Sequence, residues 1–387
     1  MSGRIRAAVR RGFLTALALV WLLLPAGTLA ATSSDLRASP WPEADQMFRR
    51  DPFWVGGDGG YSIALGEGRT LWLFGDSIID PSGLRSRKSP GVKMIANSIA
   101  IQSGRNPATA KMQFYWKADD LPAAFFPDSG KYRFWPGHGV RIRDRLLLFL
   151  MKVRTTESGL GFEVSDWKAV LVSNPDDDPP GWKMSWIETP SNKLHAIVGS
   201  AGVFCDGGFV YAYASQEPGG KNAYLVRWPE SEAYDGNLSG ALWWDGKEWT
   251  GKEPDGDNPS AVVLQNAGSE FTVHRDAQTG KYLQVQCLGF GPADVTMRMA
   301  DKPVGPWSIP TTLYHPPEFE KPRIMIYQGK AHPELTGAGL VLTYSTNSFD
   351  FEKLMNDEEI YYPRFVRLEG PLKSSVPGET PTGPDSR

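Results

Sequence analysis

Five times along this chain an apolar or aromatic run follows a turn bearing glycine or aspartate: Arg69 to Phe74, Arg145 to Met151, Phe209 to Ala214, Lys281 to Cys287 and Leu340 to Tyr344. A second run follows each, at Asn97 to Gln102, Lys168 to Val172, Ala223 to Arg227, Val295 to Met299 and Tyr361 to Val366. A third precedes each, at Tyr61 to Leu65, Gly139 to Ile142, Ala196 to Phe204, Glu270 to His274 and Tyr327 to Ala331. Short runs of β-branched and aromatic residues bounded by turn residues predict strands. The unit recurs at roughly 60 to 75 residues, long for a solenoid repeat and suited to a four-stranded blade with its loops. Five units in the same order predict an all-β chain folded as a five-bladed β-propeller over residues 31–370, with the segment between Trp41 and Phe53 completing the fifth blade. Radial closure leaves few exposed strand edges. The best helical alternative, Phe351 to Glu359, is short and highly charged.

The two ends read differently. Arg4, Arg6, Arg10 and Arg11 precede a short apolar core from Leu14 to Leu24, and Thr28-Leu29-Ala30 offers small residues at cleavage spacing, so residues 1–30 are expected to be an export signal. The core is too short for a membrane span. Arg10-Arg11-Gly12-Phe13-Leu14 resembles the twin-arginine pattern for export in a folded state, and an ordinary secretory signal with a chance arginine pair is the alternative. The protein is therefore expected outside the cytoplasm, periplasmic or extracellular, without a membrane span once mature. From Pro371 onward the chain is rich in Pro, Ser, Gly and Thr, and a disordered tail is expected over 371–387.

Losing the leader removes four arginines and no acid, which takes the net charge from −3 to about −7. Nucleic acid is a poor partner for such a surface. The 41 glycines, 31 prolines and 14 tryptophans fit a turn-rich, aromatic β-fold of the kind that handles sugars. Cys205 and Cys287 make no disulfide framework and are expected as two buried thiols, with a single bridge as the alternative.

In a propeller the inner strands converge on a central channel, so polar residues at their starts meet although distant in sequence. Asp58, His138, Ser200, Glu270 and His332 hold those places. Asp58 lies between glycines, His138 sits in the rigid turn Trp135-Pro136-Gly137-His138-Gly139, and Glu270 opens a strand whose next residues alternate. Paired carboxylates are what glycoside hydrolysis needs, one protonated towards the leaving oxygen and one ionised to activate water or attack carbon. Asp58 is the expected base and Glu270 the expected acid, raised by burial or by a neighbouring carboxylate. Asp76, at the end of Leu71-Trp72-Leu73-Phe74-Gly75-Asp76, would tune that pair or cap a turn. Asp176-Asp177-Asp178 and Asp255-Gly256-Asp257-Asn258 lack the spacing of a calcium loop, so no cofactor is expected beyond a single Ca²⁺ in the central channel, near His138 or His332, as an open alternative. Trp243, Trp244 and Trp249 could stack on sugar rings or pack between blades. No Gly-x-Ser-x-Gly elbow and no phosphate-binding loop occur.

Together these motifs resemble the five-bladed propeller glycosidases. The resemblance rests on Gly57 to Ser62 with Leu71 to Asp76, Ser269-Glu270-Phe271-Thr272-Val273, Met297 to Ala300 running into Val304 to Ser308, and Ala331-His332-Pro333-Glu334 with Leu342 to Asn347. It spans roughly Phe53 to Leu368 and is nearest to a bacterial group long known only as a domain of unknown function, some of whose members are endo-D-arabinanases. It implies a site at the channel mouth with acid and base from separate blades, Asp58 and Glu270, and places His332 and Asn347 in the ring-closing motif. With Trp135 and His138 these are the expected contacts to a polysaccharide or oligosaccharide. A carbohydrate-binding propeller without catalysis, or a structural protein of the cell envelope, would use the same residues differently.

Overall fold

A computed structural model describes residues 36–372 except 119, 158, 160, 191, 217–220, 257 and 290. The expected export signal and the tail from residue 373 lie outside the described residues. Five antiparallel sheets follow one another, each opening with an inner strand: Trp54–Gly66, Arg133–Ile142, Ala196–Asp206, Thr272–Arg275 and Met325–His332. Each inner strand touches that of the next sheet and the fifth touches the first, so the ring is closed. The chain is a five-bladed β-propeller.

The second strands, Arg69–Ile79, Arg145–Thr155, Phe209–Gln216, Tyr282–Leu288 and Leu340–Asn347, contain the five runs read from the sequence. They are almost wholly buried because each is covered on both faces by neighbouring blades. Five of the apolar clusters correspond to the five interfaces between blades. Phe149, Trp167 and Trp228 join blades 2 and 3, for example, and Phe48, Trp72 and Phe365 join blades 5 and 1. Trp243 belongs to the first of these, and Trp244 and Trp249 pack on the interface between blades 3 and 4, so all three serve packing.

Ring closure differs from expectation. The outer strand of blade 5 is Arg37–Pro40, paired antiparallel with Pro363–Glu369, so the first and last described strands lie side by side. The segment expected to close the ring instead forms a helix, Pro42–Arg49, whose Ala44, Met47 and Phe48 are buried. Proline at the first helical position and Glu43 and Asp45 in the first turn start it. Phe351–Asn356 is a helix of under two turns, capped by the Asp350 carboxylate accepting from the Lys353 N–H. No helix among the described residues is long and apolar enough to cross a membrane.

The two cysteines are free and belong to different blades. Cys287 is buried as expected, whereas Cys205 is exposed near the end of its strand.

Candidate active site

The inner strands are irregular where they approach one mouth of the channel. In blade 1 the pairing slips between Gly57, opposite Ser77, and Gly59, opposite Phe74, and Asp58 sits in the slip. In blade 5 it slips between Tyr327 and Lys330, leaving Gln328 and Gly329 unpaired. Such bulges re-aim a side chain without ending the sheet. Glycine is required beside them. Gly59 has φ +90°, and a Cβ there would come within 2.8 Å of the Gly75 nitrogen. A Cβ on Gly75 would lie 2.6 Å from Asp58 Oδ1. Gln328 itself is left-handed at φ 57°, a conformation uncommon outside glycine.

These irregularities bring Asp58, Asp76 and Glu270 to one cleft of about 530 Å³, lined also by Glu163, Trp135, Tyr327, Asn347 and others; Glu163 pairs with Arg154. Tyr327 donates its hydroxyl to Asp58 Oδ2 at 2.6 Å, and Asn347 Nδ2 donates to that hydroxyl at 3.2 Å. Trp135 Nε1 donates to Asp76 Oδ1 at 2.8 Å. Gln328 bridges two blades, its Nε2 donating to Glu270 Oε2 at 2.6 Å while its Oε1 accepts from the Gly59 N–H at 2.7 Å. Beneath them Lys330, with its side chain wholly buried, donates to the Gly59 carbonyl at 2.8 Å and lies 3.8 Å from Glu270 Oε1. Trp135 and Phe162, edge to face at 4.8 Å, form the aromatic wall.

Burial, then the charge of Asp76, and more weakly that of Glu270, push Asp58 up to about 8 against the pull of Tyr327 and Lys330. Burial raises Asp76 to about 6, opposed by Trp135 and Arg133. Burial draws the Lys330 ammonium below its ordinary value, and Glu270 and Asp58 hold it back. At neutral pH the cleft thus keeps a proton on Asp58 beside carboxyls from two blades.

Of the expected site residues, Asp58, Asp76, Glu270, Trp135 and Asn347 meet in this cleft. His138 and His332 do not. His138 accepts from the Val203 N–H at Nδ1 (2.9 Å), which turns Nε2 towards the Ser62 carbonyl (3.3 Å), and its ring stacks on Tyr61. His332 is fully buried between the hydroxyls of Ser62 (2.5 Å) and Thr343 (2.8 Å). Burial lowers His138 to about 4 and holds His332 well below the usual range, so both are neutral struts inside the ring. Their ring nitrogens are engaged, and among the described residues no group of three or more His, Cys, Asp or Glu could hold a metal ion. Asp176 pairs instead with Arg141 at the surface.

Sequence reasoning missed Tyr327, Gln328 and Lys330. The available signal was a polar Gln-Gly-Lys interruption within an otherwise apolar inner strand; that Lys330 would lie under Glu270, 60 residues earlier, depends on how the neighbouring blades 4 and 5 pack.

A closed five-bladed ring with acids gathered at one channel mouth defines the class of protein. Within it, the chain belongs to the family described as domain of unknown function DUF5005, whose model matches residues 43–370. The fold is similar to that of a candidate hydrolase from Bacteroides ovatus, 20% identical over 86% of this chain and 90% of that one, with a TM-score of 0.68. Looser overlaps include the catalytic domain of a Coprinopsis cinerea GH62 α-L-arabinofuranosidase (11% identity, 83% and 91% covered, TM-score 0.45). Another is a xylan β-1,4-xylosidase from Bacillus halodurans (11%, 87% and 60%, TM-score 0.44). At 20% identity the likeness to the Bacteroides ovatus protein is one of fold. No curated protein matches the sequence.

Proposed function

We propose that this protein is an exported glycoside hydrolase that cleaves a polysaccharide, an arabinan first among the candidates, through Asp58 and Glu270. The observation that carries the reading is the cleft itself: two carboxyls from different blades, one of them holding a proton at neutral pH, flanked by an aromatic wall and amide and hydroxyl donors. Export rests on the leader read from the sequence, and the arabinan on the resemblance of the blade motifs to the endo-D-arabinanase group.

The electrostatics of Asp58 support the opposite assignment of roles to the one expected from the sequence. Asp58 keeps its proton and is the donor to the leaving glycosidic oxygen, and Tyr327, bonded to Oδ2, leaves that proton on Oδ1. Glu270, held by Gln328 and beside Lys330, is the carboxylate that activates water or attacks the anomeric carbon. As the glycosidic C–O bond breaks, the proton passes from Asp58 to the departing oxygen and the positive charge growing at carbon faces Glu270. Asp76 then sustains the proton affinity of Asp58, because its charge is the second cause of that shift.

The test is product release from arabinan, xylan and galactan by the parent, Asp58→Asn and Glu270→Gln. Oligosaccharide release by the parent and near-total loss in both variants is expected. An activated aryl glycoside, which needs little proton donation, should revive Asp58→Asn, and azide should revive Glu270→Gln. The opposite pattern of rescue would return the roles to those read from the sequence. Binding that survives both substitutions, with no product at any pH, would leave a carbohydrate-binding propeller.

A further inference from the structure

The acidic cleft does not end at its catalytic centre. Met325 and Phe349 line it and also line a second hollow of about 620 Å³ between blades 4 and 5. The floor and walls of this hollow are apolar, from Pro292, Phe319, Pro322, Ile324, Met325 and Phe349, and its rim is polar, with Glu320, Lys321 and the Arg323–Asp350 pair at 3.5 Å. Phe349 stands at the junction with 61% of its surface exposed.

The geometry is built rather than incidental. The Ser348 N–H donates to Asn347 Oδ1 at 2.7 Å and the Asp350 N–H to Ser348 Oγ at 3.1 Å, so a tight turn presents Phe349 directly after the cleft residue Asn347. The Ile326 N–H donates to the Gly291 carbonyl at 2.8 Å, tying the blade 4 loop to the blade 5 strand across the hollow's base. The opposite wall hangs on Glu318, which is buried, accepts from the Tyr344 hydroxyl at 2.8 Å and lies 3.4 Å from Arg364 Nε. A sugar ring has an apolar face of C–H groups and a polar edge of hydroxyls, which matches an aromatic platform with a polar rim.

We propose that this hollow is a second sugar subsite, with Phe349 as its stacking platform, so that the ligand is a chain of sugars lying across the acid centre and over Phe349. The inference rests on the glycoside hydrolase reading and adds to it the length of chain that the site measures. Its occupant is the sugar next to the one at the acids, because the hollow opens into the cleft between two side chains that belong to both.

Arabino-, xylo- and galacto-oligosaccharides of increasing length, from the disaccharide upward, would test this. Two readouts apply: kcat/KM for the parent and Phe349 variants, and calorimetric affinity in the inactive Glu270→Gln background. The parent should gain with each sugar that reaches the hollow. Phe349→Ala should flatten that gain, with roughly tenfold loss on the longest chain and the smallest loss on the disaccharide, and Phe349→Trp should restore it. Length dependence unchanged in Phe349→Ala while the parent still cleaves would overturn the subsite and leave the hydrolase standing. A parent that neither binds nor cleaves any of these saccharides would overturn both.

Discussion

Asp58 shows how one residue's environment decides its chemistry. In the unfolded chain its carboxyl releases its proton near the ordinary value of 3.8, whereas the folded cleft holds it to about 8. Between those limits the folded state binds more protons than the unfolded one, so this group's contribution to stability falls as pH rises from about 4 to 8. Asp58→Asn removes the penalty. The variant's melting temperature should exceed the parent's by more at pH 8 than at pH 5, and an equal difference at both would show that the proton is not on Asp58. Gly75 offers a second test, because a methyl there meets Asp58 Oδ1 at 2.6 Å. Gly75→Ala should shift the carboxyl and cost about a hundredfold in kcat, with stability within about 1 kcal/mol of the parent by chemical denaturation. The sequence alone marks Asp58 as unusual because glycines flank it. It does not disclose the proton, which depends on burial and on Asp76 and Glu270.

Among the elements, the inner strands follow from alternation and turn chemistry, but their bulges do not. A bulge is a mismatch between two strands, and one strand's sequence records only half of it. The loop over blade 1 is similar. Arg87 is buried, and its guanidinium donates to the carbonyls of Val55 (2.9 Å), Leu354 (2.7 Å), Asp357 (3.0 Å) and Ile360 (2.7 Å). It thereby ties the segment 354–361 to the strand that carries Asp58, and the Gly57 N–H donates to the Tyr361 carbonyl at 2.8 Å beside it. Arg87→Met leaves four carbonyls without this donor and should destabilise by about 3 kcal/mol or more. Amide exchange should accelerate first in 354–361, with activity falling in parallel; protection unchanged there would deny Arg87 its anchoring role.

At the scale of the whole molecule, stability rests on closure. Four residues, Arg37–Pro40, complete blade 5 by pairing with Glu369, Leu368, Arg367 and Val366. A chain beginning at Trp41 would expose the edge of Pro363–Glu369 to other molecules. It should melt at a lower temperature and elute partly as aggregates in size-exclusion chromatography with light scattering. A monomer of unchanged melting temperature would show that the helix Pro42–Arg49 closes the ring unaided.

By itself the sequence determined the repeated strands, their order and number, and marked Asp58, Asp76 and Glu270 as candidate acids, since alternation, turn residues and acids at strand ends are local properties written in consecutive positions. Only the tertiary structure decided which strand closes the ring, that His138 and His332 are internal struts, that Tyr327, Gln328 and Lys330 serve the cleft, and which carboxyl keeps its proton. Each of those outcomes depends on residues brought together from different blades, where burial and mutual charge arise from the closed ring and not from any stretch of chain.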